Sequence, residues 1–263
     1  MTALDTFLFT LRTMLAGYSS MEILFLVAVA FISGMARGFS GFGAALIFMP
    51  LASSVIEPKL AATLLFLIDI VMALPMLPDG YRRADKREVG LMVVGSLVGV
   101  PLGTLMLTVA DGLTLRWSIT VLVVLLLALL LSGWRYHGKP QPLLTIGVGA
   151  VAGLFSGAAQ IGGPPVIAYW LGGAIPVAFV RANIVLYFAL NSIISGANYS
   201  VAGLFTRPAF LLALLVGPAY GIGLVLGSRV FGKADEKLFR RICYSLIAIA
   251  AIVGLPLLDP LLR

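Results

Sequence analysis

Two stretches of the 263-residue chain place groups that could bind an anion inside otherwise apolar runs. The first is "GMARGFSGFGAAL", Gly34 to Leu46; the second is "SGAAQIGGPP", Ser156 to Pro165. Glycine costs a helix interior about 1 kcal/mol relative to alanine, and a charge deep in hydrocarbon costs roughly 2.5 to 3.5 kcal/mol on the mildest scale. Segments built this way are breaks in helices. A helix that restarts after a break presents unpaired N–H groups and a partial positive charge, and glycine lets a ligand approach that backbone closely. The candidate substrate-binding residues are Arg37, Gly38, Ser40, Gly41 and Gly43 at the first break, and Ser156, Gly157, Gln160, Gly162 and Gly163 at the second. Arg181 and Asn191 join them from the run that follows. Asp69, midway along its own apolar run, has three readings: counter-ion for Arg37, proton-coupling group, or half of a purely structural pair.

Composition narrows the class. Hydrophobic residues make up 60% of the chain and charged ones 11%, with a mean hydropathy of +1.08, more than one soluble core requires. The chain reads as a multi-pass membrane protein without a cleaved leader or a soluble domain between its apolar runs. One cysteine, Cys243, and one histidine, His137, offer neither a disulfide framework nor a metal site, so no cofactor or metal is expected. Paired carboxylates and Ser/His clusters are missing from the apolar runs, which speaks against an enzyme. The net charge of +7 gathers in short loops, a pattern of membrane topology rather than nucleic-acid binding.

The elements that must carry these residues are apolar runs at about 21–56 (broken near 37–43), 59–77, 88–109 and 115–134, then 142–173 (broken near 157–165), 178–200, 208–228 and 238–256. The halves match in register. Sliding the chain by 119 sets Gly34, Gly38 and Gly43 on Gly153, Gly157 and Gly162; three more residues set Lys59 on Arg181, Asp69 on Asn191, and Gly95/Gly99 on Gly217/Gly221. Gly95, Gly99 and Gly103 read as small-residue packing positions. The basic loops 78–88, 135–141 and 229–241 should be cytoplasmic. Three single crossings between the second and third of these loops would end on the wrong side. The conflict vanishes if 142–173 enters and turns back, its arms of about 16 and 10 residues reaching roughly 24 and 15 Å. The rival reading, eight plain spans, strands one basic loop outside. The expected fold is an all-α integral membrane protein, one transmembrane domain over 1–263, with two inverted repeats (about 21–137 and 142–258) of about four hydrophobic segments each. The first segment of each repeat is a broken or re-entrant pair meeting near the midplane. Asn191, Ser195 and Asn198 share a helix face expected to meet the cavity.

The segments "GFSGFGAALIFMPL" (Gly38 to Leu51) and "GLFSGAAQIGGPPVIAYWL" (Gly153 to Leu171) resemble those of the sulfite exporter TauE/SafE family, and the length and two-half plan extend the resemblance over nearly the whole chain. The resemblance implies an inner-membrane secondary transporter for small sulfur-containing anions such as sulfite, thiosulfate or organosulfonates, often an exporter. Pro164 and Pro165 depart from the glycine run usual there. An anion channel of the same architecture, or a carrier of another small anion, is the alternative. The expected partners are the anion, the lipid bilayer and protons as a coupling ion.

Overall fold

The computed structural model describes residues 18–41, 43–74, 77–171, 177–230 and 236–258. Among them are eleven α-helices: α1 (Ser20–Ser40), α2 (Ala44–Ala52), α3 (Pro58–Ala73), α4 (Leu77–Arg83), α5 (Lys86–Val109), α6 (Gly112–Ser132), α7 (Pro142–Ala159), α8 (Gly163–Trp170), α9 (Val177–Val201), α10 (Arg207–Val230) and α11 (Glu236–Val253). Strands are absent from the described residues. Six helices, α1, α5, α6, α7, α9 and α10, are long and apolar enough to cross a membrane.

Local chemistry sets the helix ends. Ser19 and Glu22 form a reciprocal capping box at the start of α1. Asp85 caps α5 through the amides of Arg87 and Glu88, and Asp111 caps α6 through that of Thr114. The bonds from Thr114 hold the exposed Asp111 carboxyl below the usual carboxylate range. Over the span expected at 59–77, α3 runs 16 residues, Pro58–Ala73, and Leu74 beyond it keeps helical backbone angles (φ -52°, ψ -43°); residues 75–76 lie outside the described residues. The shorter α4 begins beyond them and carries Arg82 and Arg83.

Glycine governs the two longest contacts. α5 lies on α7, where a Cβ on Gly95, Gly99 or Gly103 would strike the backbone of Ile146, Ala150 or Leu154, and Gly149, Gly153 and Gly157 are closed in return by Met92, Ser96 and Val100. α1 lies on α10 in the same way, with Gly34 and Gly38 against Tyr220 and Leu224, and Gly223 and Gly227 against Phe31 and Met35. Residue numbers rise together along each pair, so both pairs run parallel. The contacts cross between halves: the opening helix of each packs on a later helix of the other. Backbones this close gain dispersion and Cα–H···O contacts that larger residues would prevent.

The chain doubles back after each break. In the second half the Tyr136 amide donates to the Ala168 carbonyl at 3.0 Å. The Tyr169 hydroxyl lies 2.7 Å from that of Thr145 and accepts from the Gln141 amide at 3.2 Å. The end of α8 thus returns to the start of α7. In the first half burial, then Glu22 and Glu57, raise the Tyr18 hydroxyl pKa. The arms differ in length from expectation: α7 has 18 residues and α8 has 8, while α1 has 21, about 31 Å at 1.5 Å each. α1 is long enough to cross by itself, so the doubling back rests on these contacts rather than on short arms.

Further contacts sort the helix ends onto two faces. On one, Lys59 donates to the Thr108 carbonyl, and Thr120 to that of Gly254 near the end of α11. On the other, the Asp85 amide donates to Asn183, and Tyr244 reaches the Leu130 carbonyl. The end of α4 and start of α5 with Arg82–Arg87, the loop with Arg135–Lys139, and the end of α10 lie toward this second face; residues 231–235, where the third basic loop falls, lie outside the described residues. We predict that Gly99→Ala, whose new methyl would overlap the Ala150 carbonyl, lowers the detergent-solubilised melting temperature. Gly147→Ala, with nothing within 4 Å, leaves it equal or higher. Fluorescence-detected size exclusion after heating reads both.

Candidate anion-binding site

The two breaks meet. A cavity of about 50 Å³ is lined by Arg37, Gly43, Ala44 and Ala45 from the first break, and by Ser156, Gln160, Gly163 and Pro164 from the second. Leu65 and Asp69 of α3, and Phe188 and Asn191 of α9, complete it. On the same measure one water needs about 10–15 Å³, so several waters or one small oxyanion fit.

Each break is built alike. α1 ends at Gly41 (φ 75°) and α7 at Gln160 (φ 59°), both in the left-handed region, and these positions coincide in the 119-residue register. A non-glycine residue there is uncommon. Gln160 is held by its side chain, whose amide donates to the Tyr199 hydroxyl at 3.1 Å, while that hydroxyl donates to the Gly157 carbonyl at 3.0 Å. At the first break Arg37 does the equivalent work, donating to the Gly41 carbonyl at 3.1 Å. α2 then restarts from Gly43 (φ 100°) and α8 from Gly162, neither with a side-chain cap. Both uncapped N-termini border the cavity, the arrangement that favours an anion.

Charge lies on one side. Arg37 donates to Asp69 at 2.9 Å with both side chains more than two-thirds buried. Tyr220 of α10 donates to the second oxygen of Asp69 at 2.5 Å, and the guanidinium stands 5.8 Å from the centre of the Phe188 ring. In the repeat register Arg37 corresponds to Ser156 and Asp69 to Asn191, so the second half carries a neutral pair where the first carries an ion pair. Asn191 is buried, and its Oδ1 has no partner among the described residues.

The structure divides the remaining sequence candidates. Gly38 and Gly157 face neighbouring helices rather than the cavity, and Gly162 is closed against the Ser156 hydroxyl and the Ala152 carbonyl. Gly41 is exposed with no atoms near its Cβ position. The side chain of Ser40 lies outside the described residues. Arg181 is exposed and does not line the cavity; it sits seven residues before Phe188 on α9, hence on the same helix face two turns away. Asn198 bonds to the Ile194 carbonyl of its own helix, and Tyr199 makes the reach to the break that the polar spacing assigned to Asn198. Tyr220 and Tyr199 were not singled out from the sequence. The signal for Tyr199 was its place at four-residue steps from Asn191 and Ser195; for Tyr220 it was a lone hydroxyl within the glycines of α10.

A bundle of apolar helices long enough to cross a bilayer, with two interrupted helices meeting around a small polar cavity, defines a multi-pass membrane protein. The chain belongs to the sulfite exporter TauE/SafE family, which matches residues 26–254. A probable sulfite/organosulfonate exporter TauE from Cupriavidus necator is 27% identical over 228 residues, covering 82% of this chain and 88% of that protein. No solved structure matches. The membership makes the chain a multi-pass protein of the bacterial inner membrane, in a family whose cargo is a small anion.

The ion pair yields a prediction. Arg37→Met or Asp69→Leu alone should cost on the order of 2–3 kcal/mol in unfolding by SDS, below the 3–5 kcal/mol typical of fully buried pairs because both groups retain some exposure. The double variant should recover most of that loss. A double variant as unstable as the sum of the two would mean that the pair contributes no coupling.

Proposed function

We propose that the chain is a secondary transporter of small sulfur-containing anions such as sulfite, thiosulfate or organosulfonates, held between the two breaks. The observation that carries this reading is the shared cavity, bordered by two uncapped helix N-termini and the Arg37 guanidinium. The family, and the name of the Cupriavidus necator relative, support the sulfur-anion class and export as the direction.

The geometry implies a coupling mechanism. The cavity holds one cation and one carboxylate, so an entering anion is uncompensated while Arg37 remains bound to Asp69. The substrate takes the place of the carboxylate on Arg37, and Asp69 accepts a proton and stays hydrogen-bonded to Tyr220. Of the sequence readings of Asp69, counter-ion and proton-coupling group thus become two stages of one cycle. The break residues Gly43, Ser156, Gln160 and Gly163, with Asn191 and Ser192 of α9, supply the neutral polar lining. No chemical step on the substrate is part of this reading.

The chain is a single transmembrane domain of two inverted repeats that move against one another around the site. Positive loops favour the cytoplasm, which places the face with Arg82–Arg87 and Arg135–Lys139 inside and the start of α1 outside. α1 and α7 then enter from opposite sides.

Proteoliposomes test the proposal. Labelled sulfite or an organosulfonate should cross with protons moving in step, and Arg37→Ala should cut flux at least tenfold at equal insertion. Asp69→Asn should retain anion binding while losing its pH dependence. Absence of flux for every sulfur anion tried would refute the reading, and substrate currents without proton movement would make the protein a channel. For topology, Cys243 is first replaced by Ser. A cysteine at Thr206 should then react with an impermeant reagent from outside and one at Lys139 only from the cytoplasm; the reverse labelling would overturn the orientation.

A further inference from the structure

A second depression lies away from the central cavity, on the flank formed by α6, α7 and α8. It has a volume of about 300 Å³ and walls that are almost wholly apolar, including Leu129, Val148, Val151, Pro165 and Ala168. Its rim on the basic face is the loop 133–141, where Trp134 and Tyr136 line the depression and Arg135 and Lys139 stand beside them in sequence. Lys139 and His137 are exposed, Arg135 half-buried. Of the carboxylates at the start of α5, which packs on α7, Glu88 is engaged by the Thr145 hydroxyl and Asp85 by the amides of Arg87 and Glu88.

We propose that this groove is a binding site for one anionic phospholipid, with an acyl chain along α7 and the phosphate at Arg135 and Lys139. The apolar lining offers water no polar partners, and an acyl chain laid in the groove makes dispersion contacts along its walls. Arg135 and Lys139, in the same loop as the rim aromatics Trp134 and Tyr136, supply charge complementarity for a headgroup phosphate. A second copy of the chain fits less well. Two copies related by an axis normal to the membrane would bring their basic 133–141 loops together on the same face, and like charges there repel.

The site has a mechanical consequence. α8 is only eight residues long and serves both spaces: Gly163 and Pro164 line the central cavity, and Pro165 and Ala168 line the groove. The lipid therefore buttresses the arm that carries one wall of the central cavity. Its binding does not depend on what the central cavity transports.

Native mass spectrometry of the full chain in mild detergent, supplied with phosphatidylglycerol or phosphatidylcholine, tests the proposal. One retained phospholipid is expected, with phosphatidylglycerol favoured about fivefold or more. Arg135→Gln with Lys139→Gln should abolish the preference while leaving a lipid bound. Val151→Trp, placed at the half-exposed rim so that folding is undisturbed, should abolish retention of either lipid. Spin-labelled phosphatidylglycerol should quench tryptophan fluorescence more than labelled phosphatidylcholine, and Trp134→Phe should remove that difference. Equal retention of the two lipids, retention unchanged in Val151→Trp, or a dimer through this face would each overturn it.

Discussion

Stopping a helix inside hydrocarbon leaves carbonyl and amide groups that lipid cannot satisfy, and the architecture around both breaks follows from that constraint. The carbonyl ends are closed from within: Arg37 donates to Gly41, and Tyr199 to Gly157. The amide ends are treated differently. α2 and α8 begin from glycine without a side-chain cap and border the same small cavity. A cavity bordered by two uncapped helix N-termini, with the Gly41 and Gly157 carbonyls bonded elsewhere, has a polarity that suits an anion. The breaks can be brought together because α1 and α7 are each clamped by glycine contacts to a helix of the opposite half. Side chains at those crossings would push the arms outward and separate the two N-termini.

The two breaks are alike in backbone and differ in their side chains. Gly41 and Gln160 adopt the same left-handed cap, yet one needs no side chain and the other uses its amide to hold Tyr199. Arg37 and Asp69 stand where the second half has Ser156 and Asn191. Keeping an ion pair in only one half limits the desolvation cost to a single pair and concentrates the charge that an anion meets on one wall. Tyr220, contributed by α10 of the second half, ties that wall to the other repeat through Asp69.

Much of this was legible in the sequence because it depends on periodicity and composition. Both breaks, their register, and the depth of Arg37 and Asp69 follow from glycine, proline and charge in apolar runs. The loop charges favoured zero net crossing for 142–173, with eight plain spans as the alternative, and the bond between Tyr136 and Ala168 brings the end of α8 back to the loop before α7. Other features depend on which neighbour a residue meets. Gly38 and Gly43 look equivalent along the chain, but Gly38 is closed by α10 and Gly43 opens on the cavity. Tyr220 reads as one more aromatic until α10 is laid against α1.

Pro164 and Pro165 give the site a further asymmetry. α8 has proline at two of its first three positions, so only Gly162 and Gly163 retain amide protons there, whereas α2 keeps the amides of Gly43, Ala44, Ala45 and Leu46. The donor-rich terminus lies in the same half as Arg37. Under the transport reading, the negative end of a substrate is drawn toward the first break, and the hydroxyl and amides of Ser156, Gln160 and Asn191 meet the remainder. The prolines that subtract donors also fix φ at the start of an eight-residue helix, whose far end is anchored by Tyr136 and Thr145. The second break is thus the stiffer and less charged of the two walls, and the first carries the ion pair and the fuller set of amides.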